Sequence, residues 1–250
     1  MLFLLAAAAT ARCVAARTSA EDLNQWLVAA EYAVRGEIMD RAGELQVQLD
    51  AGDRLPFDKI VACNIGNPQA LGQKPLSYNR QVLSLVTNTA MLDDPEMRQM
   101  FPEDVVARAE NYRGRLGGGV GQYSGSQGVQ VVREEVAKFI EARDAVGPAD
   151  PDQIFLTDGA SAGVRMVYTT MINSAAGTDG ILVPIPQYPL YSALSTLHNA
   201  RLVPYYLDES NGWTLTAAEL ERALTVAKKE GTHVRALAII NPGTPTGASH

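Results

Sequence analysis

The chain has 250 residues and a formal net charge of −7, from 21 Lys and Arg against 28 Asp and Glu. With 46% hydrophobic and 20% charged residues it has the composition of a globular protein with a sizeable core, which excludes wholesale disorder and a collagen-like fibre. The acidic balance and the lack of a long basic run argue against nucleic acid or an anionic membrane surface as partner. No apolar run approaches the roughly 20 residues needed to span a bilayer. Two cysteines, Cys13 and Cys63, cannot build a disulfide framework or a CxxC site. The histidines, His198, His233 and His250, are too scattered for a structural zinc site, so no metal is expected.

Residues 1–20 stand apart. They hold no acidic residue, two arginines (Arg12 and Arg17) and several hydroxyls, the balance of an organelle transit peptide. The rival readings are a secretory signal, which lacks a basic residue before Leu2–Ala9, and a plain extension. Residues 22–50 read as one long amphipathic helix, with Ala30, Val34, Ile38, Ala42, Leu45 and Leu49 at helical spacing. KIVACN (59–64) has the length and character of a strand, and GNPQALGQKP (66–75) that of a loop. Ser77–Met91 and Glu103–Leu116 read as helices. The glycine-rich loop 117–128 precedes a helix carrying Val129, Val132, Val136, Phe139 and Ile140 on one face.

From residue 150 the rhythm changes to strand and helix in alternation. IFLTD (154–158), ILVPIP (181–186), ARLVPYYL (200–207) and RALAIINP (235–242) read as strands. Helical patterns at Ala160–Ile172, Tyr188–His198 and Thr216–Lys229 separate them. Thr216 and Glu219 have the spacing of a capping box. This alternation predicts an α/β fold with a parallel-rich sheet, flanking helices and a helical N-terminal segment. NPGTPTGASH follows the last strand with no crossover helix, so part of the domain is expected to lie outside this chain.

Three loops could carry chemistry. Asp158-Gly159-Ala160-Ser161 lies between a strand and a helix start, where unpaired N–H groups and the helix dipole favour an anion. The alternative is that Ser161 simply caps the helix. PIPQYP (184–189) would present Tyr188 at a strand's carboxyl end, where open α/β sheets bind ligands, either to stack on a planar group or as a core aromatic. NPGTPTG (241–247) would set a fixed turn on the same rim. GGGVGQYSG fits neither G-x-G-x-x-G nor the P-loop spacing, which leaves an unrelated nucleotide-binding domain without its motif.

The segments AEYAVRGEI (30–38), CNIGNPQALGQKPL (63–76), GQYSGSQG (121–128), FLTDGAS (155–161), PIPQYPLYSA (184–193) and NPGTPTG (241–247) together resemble the class I, fold-type I aminotransferases. Within them the likeness is to the alanine and glutamate–glyoxylate group, and it runs from about Leu23 to Gly247. The resemblance implies pyridoxal 5′-phosphate as cofactor and transfer of an amino group between alanine or glutamate and a 2-oxo acid such as pyruvate, 2-oxoglutarate or glyoxylate. It also implies a homodimer. Ala160 and Ser161 would hold the cofactor phosphate, and Tyr188 would stack on its ring. Tyr123 would reach across the dimer to the partner's cofactor, and Gly66 would line the substrate carboxylate pocket. Thr244 stands where the family has an Asn that bonds the ring hydroxyl.

By the same resemblance, residues 21–105 are an N-terminal arm and part of the small domain, and 106–250 a truncated cofactor-binding large domain. The Schiff-base lysine is expected beyond His250, so no catalytic residue is assigned here and this chain alone is expected to be inactive. A non-catalytic truncated fragment is the alternative function. The compartment expected is the mitochondrion, with cytoplasm or peroxisome as alternatives. The resemblance further implies cis peptide bonds at Ile185–Pro186 and Thr244–Pro245.

Overall fold

The structure, a computed structural model, describes residues 20–32, 36–62, 65–117, 119–145 and 147–249. Residues 1–19 of the expected targeting segment, both cysteines and His250 therefore lie outside the described residues. The chain divides into two compact units, residues 1–64 with 161–250, and residues 65–160. The boundary expected at residue 105 falls inside a helix, Glu103–Arg115.

The unit 65–160 is helical among its described residues. Its helices are α3 (Ser77–Thr87), α4 (Ala90–Asp93), α5 (Pro95–Arg98), α6 (Glu103–Arg115) and α7 (Gln130–Asp144), numbered after α1 (Gln25–Ala29) and α2 (Glu37–Asp50) of the other unit. Val82, Leu85 and Val86 of α3 meet Leu92 of α4 and Val105, Val106 and Ala109 of α6 in one core. These positions recur at the three-to-four spacing that gives each helix one apolar stripe. Asp94 starts α5 by accepting from the N–H groups of Glu96 (2.8 Å) and Met97 (3.2 Å), with Pro95 at the first helical position. Charges bind α6 to α7: Arg108 and the Tyr112 hydroxyl both donate to Glu135 (2.5 and 2.6 Å), and Arg115 pairs with Glu134 at 2.6 Å.

The other unit holds the sheet. Strands β1 (Asp179–Ile185), β2 (Arg201–Tyr206) and β3 (His233–Leu237) run parallel in the order β2-β1-β3. In register, Ile181 faces Leu202 on one side and Ala236 on the other. Central β1 is buried from Asp179 to Pro184, as expected of a strand covered on both faces. Its side chains alternate between two cores. Ile181 and Val183 join Tyr168 and Leu194 from helices α8 (Ala160–Met171) and α9 (Leu190–Leu197), and Ile172 just beyond α8. Leu182 joins Val203, Tyr205, Leu207 and, from helix α10 (Ala217–Lys229), Ala223 and Ala227. Pro204 sits on β2, an outer strand, where a missing N–H breaks no ladder bond.

Several expectations are corrected. Residues 22–50 are not one helix: α1 ends at Ala29, Ala30 turns extended, and α2 begins only after Gly36. Neither piece buries a side chain, with Leu27 58% and Ile38 85% exposed, so no core contact holds the two in line. IFLTD is not a strand. A strand needs a neighbour, and this stretch has local bonds at Ile154 and Thr157 and a single longer-range one, Leu156 N–H to Gln127 O at 2.9 Å, while Phe155 stays exposed. Residues 59–62 likewise carry no strand, and Val61 faces solvent. The last strand stops at Leu237 rather than running to the Asn241-Pro242 turn. The capping box is half made: Thr216 accepts from Glu219 N–H at 3.3 Å, but the Glu219 carboxylate is taken by the Tyr206 N–H and Arg222.

Candidate cofactor-binding site

Parallel strands place all their carboxyl ends on one edge, and two of the loops singled out from sequence emerge there. PIPQYP follows β1. Its Ile185–Pro186 bond is cis, as expected, and Pro189 starts α9. The backbone is tied down around it: Tyr191 N–H donates to Tyr188 O, Ala193 N–H to Pro189 O and Ser192 Oγ to Pro189 O. NPGTPTG follows β3, with cis bonds at Thr244–Pro245, as expected, and also at Asn241–Pro242. This loop closes on itself, Gly247 N–H donating to Gly243 O and Gly243 N–H to Ala248 O, both at 2.7 Å. A Cβ at Gly243 would come within 2.7 Å of Thr246 Oγ1, so a side chain there would have to push the Thr246 hydroxyl aside.

The two loops meet. Pro184 and Pro186 from the first line one narrow cavity of about 10 Å³ with Gly243, Thr244 and Thr246 from the second. Tyr205 closes its floor, donating its hydroxyl to Ala238 O at 2.7 Å, and burial pushes its phenol up to about 12.

Helix α8 contributes the third piece. It ends at Met171 and β1 starts at Asp179, joined by a short turn in which Asn173 N–H donates to Asp179 Oδ2 at 2.8 Å. Helix and strand thus run in opposite directions against one core, which carries the helix N-terminus toward the carboxyl edge. Gly159, at φ +83°, makes the turn into that helix, and Thr157 Oγ1 donates to Gly159 O at 2.9 Å. The helix opens at Ala160, so Ser161 lies one residue inside it and is not the cap. Ser161 belongs to the first turn, whose N–H groups have no partner within the helix, and it and Ala160 are exposed.

Tyr188 is half-buried. Its hydroxyl lies 2.6 Å from that of Tyr32, and the rings meet edge to face, centroids 6.3 Å apart at 83°. Sequence reasoning assigned Tyr32 nothing; the one signal was its place in AEYAVRGEI. Gly66 and Tyr123 belong to the unit 65–160. Gly66 is exposed, and a Cβ there would meet no atom within 4 Å. Tyr123 is fully exposed and borders a cavity of about 600 Å³ with Val86, Tyr112 and Arg115. Among the described residues no metal-binding cluster and no helix long and apolar enough to cross a membrane are found.

A parallel sheet whose strand-end loops converge at its carboxyl edge, the edge at which open α/β sheets bind ligands, defines the class as α/β. The sequence profile of aminotransferase class I and II matches residues 87–249, and the chain belongs to that family, whose members depend on pyridoxal phosphate. It is 50% identical over 229 residues to alanine aminotransferase 1, mitochondrial, of Arabidopsis thaliana, covering 91% of this chain and 42% of that one. It is 49% identical over 227 residues to glutamate–glyoxylate aminotransferase 1 of the same plant (91% and 45%). The mitochondrial alanine aminotransferase of Saccharomyces cerevisiae is 46% identical over 233 residues (91% and 39%). The chain thus spans less than half the length of these curated relatives. The fold is that of the solved alanine aminotransferase from Pyrococcus furiosus (TM-score 0.65, 21% identity, 91% of this chain and 46% of that one) and of an Escherichia coli aminotransferase (0.64, 23%, 94% and 46%).

Proposed function

We propose that the protein to which this chain belongs moves an amino group between alanine or glutamate and a 2-oxo acid (pyruvate, 2-oxoglutarate or glyoxylate). One observation carries the reading: the PIPQYP and NPGTPTG loops converge at the carboxyl edge of a parallel sheet. On this reading the N–H groups of Ala160 and Ser161, with the Ser161 hydroxyl, hold the cofactor phosphate at the start of α8. Tyr188 lies against the cofactor ring, and the Thr244 hydroxyl faces the ring's own hydroxyl. Gly66 leaves room for the substrate carboxylate. Tyr123 reaches the cofactor phosphate of a second copy in a homodimer, a role its full exposure supports. When bound, pyridoxal phosphate supplies the electron sink for the substrate's Cα carbanion. Residues 21–105 form the arm and part of the small domain, and 106–250 part of the large one. The mitochondrion is the proposed compartment, supported by the names of four relatives.

A second reading, a non-catalytic role for this chain by itself, rests on one further observation. All five lysines are exposed: Lys59 and Lys74 in other loops, Lys138 on α7, and Lys228 and Lys229 on α10. On this reading the residues present suit the phosphate and ring of the cofactor, and neither strand-end loop carries a lysine of its own. The chain's part is therefore to bind and orient.

Equilibrium dialysis of the chain against pyridoxal phosphate and against phosphate-free pyridoxal tests this. Phosphate-dependent binding, weakened by Ser161→Ala, with no single lysine labelled on borohydride reduction, is the expected result. Equal binding of the two compounds would overturn the site. In the full-length product, failure to aminate pyruvate, 2-oxoglutarate or glyoxylate would overturn the reaction.

A further inference from the structure

We propose that Tyr32 is a positioning residue: its hydroxyl clamps the far end of the Tyr188 ring and so sets the tilt at which that ring meets the cofactor. This rests on the reading above that Tyr188 lies against the cofactor ring.

The turn Pro186–Pro189 fixes the backbone of Tyr188, through its prolines and the hydrogen bonds of Tyr188 O and Pro189 O. A fixed backbone still leaves χ1 and χ2 of the side chain to be set. At the other end of the ring the hydroxyl meets Tyr32 OH at 2.6 Å, a short contact between two phenols. The edge-to-face contact, at 83°, adds a direction, because one ring's positive edge meets the other's negative face. Tyr188 is thus held at both ends by groups 156 residues apart in sequence.

The delivery of Tyr32 is local. Asn24 caps α1, its side chain accepting from Trp26 N–H at 3.0 Å. The helix lasts five residues and closes with Ala30 N–H donating to Leu27 O. Ala30, at φ −74° and ψ 118°, then turns the chain extended, and Tyr32 follows. Helix α1 lies against α9, the helix that Tyr188 precedes. Yet α1 buries no side chain, with Trp26 48% and Val28 59% exposed. The phenol pair adds a directional contact to that thin packing surface. The dependence runs both ways: the strap aims Tyr188, and Tyr188 anchors the strap.

The test uses the 250-residue chain and 4-deoxypyridoxine 5′-phosphate. This analogue keeps the cofactor's ring and phosphate but has no aldehyde, so it cannot bond to a surface lysine. Its ring fluorescence and anisotropy report affinity and the freedom of the bound ring. Amide hydrogen exchange over residues 25–32 reports the strap, and the thermal midpoint reports folding. Tyr32→Phe keeps the ring and removes only the hydroxyl. Expected is affinity weaker by about threefold to tenfold, the range of one neutral hydrogen bond. A looser anisotropy, faster exchange over 25–32 and an unmoved thermal midpoint accompany it. Tyr188→Phe gives the same losses from the other end, and the double variant loses no more than either single one.

Tyr188→Ala separates the two ideas. If it abolishes binding while Tyr32→Phe binds as wild type, the clamp falls and the stacking reading stands. If Tyr188→Ala binds unchanged, the stacking reading falls and takes the clamp with it. A double variant that loses the product of the two single losses overturns the clamp as well, because the hydroxyls would then act independently.

Discussion

The two units reach stability by different means. In residues 65–160 the main core is aliphatic and near in sequence: α3, α4 and α6 supply its seven buried residues within 28 positions, Val82 to Ala109, while α7 buries Val131, Arg133 and Ala137 apart from it. In the sheet unit, buried groups at both ends of the strands are polar and distant partners. Asp179, 1% exposed at the amino end of β1, accepts from Arg235 Nε of β3 at 2.8 Å and from Asn173 N–H. Near the carboxyl end, Tyr205 of β2 reaches Ala238 O beyond β3. A helical unit can rely on periodicity, which side-chain order along the chain supplies. A parallel sheet must join strands that are never adjacent in sequence, and here charges and hydroxyls mark the joins.

The largest expected effect tests the aliphatic side of this contrast. Leu85 is fully buried, and Leu85→Ala should cost about 2–5 kcal/mol in denaturant unfolding followed by helical circular dichroism. A loss under 1 kcal/mol would mean that the helical core collapses around the gap and is not closely packed.

Next come the joins. Arg235→Ala leaves the buried Asp179 carboxylate short of a donor and should cost about 1–3 kcal/mol near neutral pH. The Asn173 N–H and then Arg235 hold that carboxyl below its usual range. Its folded pKa is therefore below the unfolded one, so its stabilisation is present above the unfolded carboxylate range and lost as pH falls through the folded value. The gap between wild type and Arg235→Ala should accordingly close on acidification, and a gap independent of pH would assign the loss to packing instead.

Tyr205→Phe should cost about 1 kcal/mol by leaving Ala238 O without its donor. Burial raises this phenol to about 12, above its unfolded value near 10, so the stabilisation of the neutral form is complete below pH 10 and disappears between pH 10 and 12. Burial also raises the phenols of Tyr112, Tyr168 and Tyr191, so ultraviolet titration should find a late-ionising group of tyrosines in wild type that is smaller by one in Tyr205→Phe. Smallest is Thr216→Ala, which removes one accepted N–H at an exposed helix start and should cost roughly 0.5–1 kcal/mol in a thermal melt. A cost matching that of Arg235→Ala would blur the distinction between surface caps and buried joins.

Where a pattern is complete within one element, the sequence was readable. Glu103–Arg115 appears where its apolar stripe and end charges put it, and β2 appears as a short run beside a helix with its own cap. The prolines of PIPQYP and NPGTPTG announced fixed turns, and both expected cis bonds are present. IFLTD and KIVACN misled because an apolar run of strand length is not a strand until another strand pairs with it. The long N-terminal helix misled because periodicity says which face could be buried, not whether anything buries it. From its motif alone Ser161 read first as a helix cap and second as a phosphate donor, and the helix start at Ala160 puts it one residue inside the helix.

The sequence by itself determined the alternation of strands and helices, the turns its prolines and glycines impose, and the family, because these reside in neighbouring residues. The tertiary structure decided which apolar runs pair and which face water, since pairing depends on partners supplied elsewhere in the chain. It also decided that Pro186 and Thr244 share one cavity and that Tyr32 meets Tyr188 across 156 residues. A hydroxyl-to-hydroxyl contact depends on where two backbones are brought, and no local propensity encodes that distance.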